Sequence, residues 1–284
     1  MNKISVQNTL PAISQELNKI VSTLLPEKIY LLSVIHQKKE IQSIFKDDVA
    51  EEHIIEALNI EALNILVLTT ESEKRSSDEL QDIIENRLDI RIPTTAFVMQ
   101  AVQFNGWLKK DHPFALKVAL NAKLYFDAGK IPFSVPNAIN ELAAKEILRG
   151  DLEQKIRKAV EFLAGAELFI VRKQFEMAAF NLHQAAEQVY TGIIRFNTGF
   201  LVQTHNLDKL YRYSKYLLPG LKEIFPRGAE NEKRLFQYLQ KAYLGSRYNV
   251  DFSVKYEMVL LLFERVNKLL ILCQGILRAR LIIA

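Results

Sequence analysis

Apolar residues along this chain follow two periods, and the change falls near residue 135. Before it, short runs rich in β-branched residues alternate with stretches of helical spacing. Ile29 to Ile35 and Leu63 to Thr69 read as strands, bounded by Pro26 and by the polar segment Thr70 to Ser77. Thr94 to Met99 and Lys123 to Asp127 are two more, the last ending before Ala128-Gly129. Ser77 to Arg87 sets Leu80, Ile83 and Ile84 at helical spacing, with Asp78 and Glu79 in the first turn, where the helix dipole favours acids. Strands alternating with helices predict an α/β domain over residues 1–135. Gly129 to Pro136, which contains Pro132 and Pro136, reads as a linker.

Beyond Pro136 the period is helical almost throughout. Asn137 to Gly150 is one expected helix, with Asn137 as N-cap and Gly150 just past its end. Asp151 to Val171 is the next, its stripe being Leu152, Ile156, Ala159, Val160, Leu163 and Ala166. Gln174 to Arg195 follows and stops before Asn197-Thr198-Gly199. Thr204 caps a helix to about Leu217, closed by Pro219-Gly220. Glu230 to Tyr243 and a terminal helix from about Ser253 to Ile282 complete the set. The terminal helix spaces Val254, Met258, Leu261, Leu262, Val266, Leu269, Cys273 and Ile276 three or four apart. Short loops predict an up-and-down antiparallel bundle over 136–284, so the fold class is α+β in two domains.

The composition narrows the class of protein. Hydrophobic residues make up 49 % of the 284 and charged residues 25 %, which excludes a disordered chain. The net charge of +4, from 37 basic and 33 acidic residues, permits phosphate-bearing partners without demanding them. The tight basic groups are Lys38-Lys39, Lys109-Lys110 and Arg278 with Arg280; none gives a DNA-specific signal. One cysteine, Cys273, allows no intramolecular disulfide. No charged stretch followed by an apolar core opens the sequence, and apolar runs such as Met258 to Phe263 fall short of the ~18 residues of a membrane span. A soluble cytoplasmic protein is the expectation.

The helical half carries three polar groups in apolar surroundings. Phe180, His183, Glu187 and Tyr190 are spaced to share one helix face, and the alanines beside them allow another helix to come close. Thr204-His205-Asn206-Leu207 opens a helix, and Ala242-Tyr243-Leu244-Gly245-Ser246-Arg247-Tyr248-Asn249 stands at the junction into the terminal one. Two readings stay open. In one, Glu187 and Arg247 form a bidentate pair that fixes helix register, and His205 caps or fills space. In the other, Glu187, His183, His205, Arg247 and Tyr248 line a pocket, with Arg247 on a phosphate and Tyr248 as a stacking surface.

These residues carry a resemblance. The segment from about Leu152 onward resembles the HEPN domain (higher eukaryotes and prokaryotes nucleotide-binding), a bundle of four or five helices that usually dimerises. Its signature elements stand here in order as Ala185-Ala186-Glu187, Thr204-His205-Asn206-Leu207 and Arg247-Tyr248. The resemblance implies a homodimer through the bundle, a nucleotide, RNA or protein partner, and a toxin–antitoxin or defence setting. Many members of the family are metal-independent ribonucleases with four to six residues between an Arg and a following His. At the corresponding positions after Arg247 stand Phe252, Ser253 and Val254, and no His follows at all. The ribonuclease motif is absent.

The first half is similar to a minimal nucleotidyltransferase domain. There one strand ends in Gly-Ser, and the next carries Asp-x-Asp to hold Mg²⁺. Here Ser33 follows Leu32 in place of the glycine, and Ala62 and Asn64 occupy the aspartate positions. This implies a scaffold that has lost its metal ligands, with no metal or other cofactor expected. The competing class is an enzyme, either a ribonuclease with an unusual base or a nucleotidyltransferase using Asp89; a third is a structural adaptor. His36, His53 and His112 lack partners at metal-ligand spacing, so each reads as an ordinary histidine. Cys273 reads as a buried small hydrophobe. Phe104, Trp107 and Phe114 beside Lys109, Lys110 and His112 read as aromatics pinning a helix, the alternative being base stacking.

Overall fold

The computed structural model describes residues 5–37, 59–135, 141–215, 217–218, 220–249 and 251–281. It divides into two compact units, Met1–Ala138 and Ile139–Ala284.

In the first unit, α1 (Ser5–Leu24) precedes β1 (Lys28–Gln37) and β2 (Asn59–Thr69). Next come α2 (Ser77–Asp82), a π-helical turn over Ile83–Arg87, β3 (Thr94–Gln100), α3 (Ala101–Lys109), α4 (Pro113–Asn121) and β4 (Lys123–Asp127). The sheet order is β3-β2-β1-β4, with β1 antiparallel to β2 and β4 and β2 parallel to β3. Side chains alternate across a strand, so β2 sends Leu63, Ile65 and Val67 to one face and Leu66 and Leu68 to the other. The first set packs with Ile29, Ala96 and Val98 against Ile13, Leu17 and Ile20 of α1 and Leu80 of α2. On the other side Tyr30 meets Phe104 of α3 at 6.0 Å and Phe97 meets Phe114 of α4 at 6.5 Å. Both faces are covered, which is why β2 and β3 read as nearly continuous apolar runs.

The expected helix over 77–87 is present but changes register. Ser76 caps α2 by accepting the Glu79 N–H at 3.1 Å, and the last turn then widens into the π-helix. The expected linker at 129–136 begins as part of this unit. Glu27, wholly buried, accepts the N–H groups of Lys130 and Ile131 at 2.9 and 2.7 Å. The aromatics near residue 107 belong to α3 and α4: Phe104 and Phe114 are buried, and His112 caps α4 by accepting the Phe114 N–H at Nδ1.

The second unit contains α5 (Glu141–Val171), α6 (Phe175–Thr198), α7 (Leu207–Ser214), the single turn α8 (Leu221–Ile224), α9 (Glu230–Tyr248) and α10 (Tyr256–Leu281). α6 is central, packing on α5, α7, α9 and α10. Ala178, Ala179, Ala185 and Ala186 are buried along it, and at Gly192 an added Cβ would come within 3.1 Å of Leu152 and Lys155. Small residues thus set the close approach of α5 and α6. Among the described residues no helix is long and apolar enough to cross a membrane.

Three sequence expectations change here. The two helices expected on either side of Gly150 are one, because packing against α6 outweighs the ~1 kcal/mol propensity cost of a mid-helix glycine. Asn137, its expected cap, lies outside the described residues. The cap of α7 is Asn206, which accepts the Lys209 N–H at 3.1 Å; Thr204 instead accepts the N–H of Asn206. On α10 the buried stripe includes Val259 and Leu270, while Leu261 is exposed.

Candidate functional site

Phe180, His183 and Glu187 lie three and four residues apart on α6 and so share one face, from which Phe180 and His183 reach Tyr243 of α9. The Tyr243 ring stacks on Phe180 at 6.3 Å and on His183 at 5.1 Å between centroids. His205, from the segment leading into α7, lies on the same ring at 4.4 Å with the planes 16° apart. Tyr190, the fourth residue of that face, points along α6 to a different partner, Tyr211 of α7.

Glu187 is only 8 % exposed, and its Oε2 lies 2.9 Å from His205 Nδ1 and 3.7 Å from His183 Nε2. Burial pushes its carboxyl up, but His183 and His205 together draw it further down, below the usual carboxylate range. An ionised carboxylate only accepts, so the His205 Nδ1 carries a hydrogen and donates it. His183 is tied the same way: its Nδ1 lies 2.9 Å from the carbonyl oxygen of Leu239, another pure acceptor. His183 Nε2 is buried without a hydrogen-bond partner.

The expected Glu187–Arg247 pair is not formed. α9 continues to Tyr248, which puts Arg247 in its last turn and outside the bundle rather than at a junction. There its Nε donates to the Tyr243 carbonyl at 2.9 Å, and the guanidinium lies 4.2 Å from the Tyr243 ring centre and 5.0 Å from that of Tyr248. Glu187 takes His205 in its place. Of the five site candidates, Glu187, His183 and His205 are thus in one cluster, and Arg247 joins them through Tyr243. Tyr248 is 73 % exposed.

Beside this cluster lies an open cleft of about 630 Å³. Its polar wall is Thr204, His205, Asn206, Gln240, Lys241 and Asn249, and its rings are Tyr243, Tyr248 and Phe252; no Asp or Glu lines it. Gly245 lets Phe252 close one side, since a Cβ there would fall 2.6 Å from the ring. The sequence set Tyr243 and Asn249 in the polar group before the terminal helix without giving them a role, and it missed Gln240, Lys241 and Phe252 as site residues. The available signal was spacing, because Tyr243 stands one turn before Arg247 once the helix extends to residue 248.

In the first unit, Ser33 and Asn64 face each other across β1 and β2, and Asn64 Nδ2 donates to Ser33 Oγ at 2.7 Å. Ala62 is buried opposite Ile35. Asp89 is exposed, and its main-chain carbonyl accepts from Lys19 Nζ. No cluster of three or more His, Cys, Asp or Glu able to hold a metal occurs among the described residues. His53 and the side chain of His36 lie outside them. Cys273 is buried, which pushes its thiol up to about 12.

Residues 152–276 match the family model of the HEPN domain. No curated protein matches the chain significantly.

Proposed function

We propose that the helical unit, which matches the HEPN domain model over residues 152–276, is a non-catalytic nucleotide-binding module whose ligand lies in the cleft beside Tyr243. The observation that carries this reading is the cleft's lining: three aromatic rings, a lysine and hydrogen-bonding side chains, without a carboxylate. Rings supply stacking surface for a base, and cations with donors suit phosphate. Lys241 of the lining is a phosphate contact, Arg247, which lies over the lining rings Tyr243 and Tyr248, is the second, and Tyr248 is the exposed stacking face. The first unit accompanies it as a nucleotidyltransferase-like scaffold in which Ala62 and Asn64 stand where metal-binding aspartates would. The bundle pairs with a second copy, and the exposed Leu168 and Val171 of α5 supply apolar surface for it. The setting is of toxin–antitoxin or defence type.

Calorimetric titration with AMP, ATP, GTP and a short single-stranded RNA tests the reading. Mononucleotide binding should weaken roughly ten- to a hundredfold in Tyr248→Ala, the loss of one base-stacking contact. Absence of binding by every one of these ligands would sink it.

One observation favours a second reading. His205 is oriented by a carboxylate and shares the Tyr243 ring with Arg247, an arrangement that could serve acid–base chemistry on a phosphodiester. Cleavage of a fluorogenic oligoribonucleotide in EDTA, lost in both His205→Ala and Arg247→Ala, would establish that reading over the non-catalytic one.

A further inference from the structure

The amide side chains of the cleft are not free to present either end. Gln240 Oε1 accepts the Leu207 N–H at 2.5 Å, Asn206 Oδ1 accepts the Lys209 N–H at 3.1 Å, and Asn249 Oδ1 accepts the Asp251 N–H at 3.0 Å. A backbone N–H can face only the oxygen of an amide, so these three contacts settle which end is which. What each amide has left to turn toward a ligand is its NH₂, with the oxygen end held by the backbone. Thr204 Oγ1 likewise accepts the N–H of Asn206 at 3.2 Å, which leaves its hydroxyl hydrogen to donate. With the Lys241 ammonium, the polar wall of the cleft therefore offers donors.

His205 is the exception, and it can change. Its Nδ1–H is committed to Glu187, so Nε2, across the ring, is the atom left to the cleft. In the neutral ring Nε2 carries a lone pair and only accepts; in the imidazolium it donates. A neutral His205 would set one acceptor against a ligand that every neighbouring group is built to receive as an acceptor. The other titratable groups near His205 are Tyr243 of α9, stacked on its ring, Lys241 and Tyr248 of α9, which line the same cleft, and His183 of α6 and Arg247 of α9, which share the Tyr243 ring. Asp208 and Lys209 lie on α7, with Asp208 tied to Arg227 at 2.6 Å, and Asp251 follows α9.

We infer that the cleft selects a terminal phosphomonoester, and that binding it takes up one proton at His205 Nε2, with Glu187 as the positioning residue. This rests on the nucleotide-binding reading and adds to it the recognised group and a coupling to pH. A phosphomonoester is dianionic above its second pKa of about 6 and brings three acceptor oxygens, which matches a wall of donors. A phosphodiester brings one negative charge and fewer free oxygens.

The probes are AMP, adenosine and inorganic phosphate, titrated calorimetrically into the full chain at pH 7 and pH 8 in buffers of different ionisation enthalpy. AMP remains dianionic across this range, so a change in its affinity reports the protein. The expected result is that AMP weakens by up to about tenfold from pH 7 to pH 8. About one proton should be taken up per AMP bound at pH 8, while adenosine shows neither effect. Inorganic phosphate, compared at pH 8 where it too is mostly dianionic, should show nearly the same proton uptake at lower affinity. His205→Gln, at a half-exposed position, keeps the fold and should abolish both the pH slope and the proton uptake; Glu187→Gln should reduce the slope. AMP binding that is independent of pH, or equal binding of AMP and adenosine, overturns this inference and leaves nucleotide binding standing. No binding of either AMP or adenosine overturns both.

Discussion

His205 Nδ1 donates to Glu187 Oε2 at 2.9 Å, joining a half-exposed imidazole to a carboxylate buried on the central helix α6. The contact ties the start of α7 to α6 without Arg247, so the bundle's polar register is held by a histidine. It also fixes which nitrogen of His205 faces outward, and the chemistry of the cleft depends on that.

Replacing Glu187 by Gln should therefore lower stability by about 1–3 kcal/mol at pH 7, because a buried charge-assisted contact is lost. The sign of the pH dependence follows from its lowered carboxyl pKa. The stabilisation is complete above the ordinary value of 4.5 and is lost as pH falls through the depressed native value. Urea unfolding of both proteins between pH 7 and about pH 3 checks it: the gap between them should narrow on the acid side. A gap that stays constant across that range would count against Glu187 being ionised in the native state.

Gly245→Ala probes the wall of the cleft. Its Cβ would fall 2.6 Å from the Phe252 ring, forcing ring or helix to move at about 1–3 kcal/mol. Phe252→Ala removes the obstacle, so the double variant should be less destabilised than the sum of the singles. Additive effects in thermal unfolding would mean that the two residues do not meet.

The strands were the most legible part of the fold, since β1 to β4 each contain a run marked by β-branched or aromatic residues between polar breaks. The helix ends were less so, and for a consistent reason. Gly150 has the look of a terminator, yet α5 passes through it because contacts with α6, remote in sequence, outweigh a local cost. Tyr243 looks like the end of α9, but the helix continues one turn, and that turn carries Arg247 outward. Glu187, His205 and His183 were recognisable as a group from helical spacing and from motif order. Their pairing was not, because whether a carboxylate meets an imidazole or a guanidinium depends on where α9 ends. The amide donors of the cleft left no trace in sequence: Gln240 and Asn249 become informative only once their oxygens are seen to be occupied.

Cys273 gives a direct test of the α10 packing. It is buried among apolar residues and its thiol is pushed up to about 12, so almost no thiolate exists at neutral pH. An aromatic disulfide reagent at pH 8 should leave the native protein unmodified and label one thiol per chain in denaturant. Rapid labelling of the native protein would place this face of α10 in solvent.

Glu27 makes the last case, in the first unit. It is wholly buried at the start of β1, and its Oε1 accepts from the N–H groups of Lys130 and Ile131, more than a hundred residues away in sequence. Those two bonds tie the segment after β4 to the residue that precedes β1. Glu27→Ala leaves both N–H groups unpartnered and should cost about 2–4 kcal/mol. Glu27→Gln keeps an acceptor oxygen in place and should cost less. Native-state hydrogen exchange separates this account from general loosening. The amides of Lys130 and Ile131 should exchange much faster in Glu27→Ala, while those of β2 change only as far as global stability does. Equal acceleration at both places would show that Glu27 stabilises the unit as a whole rather than clamping this segment.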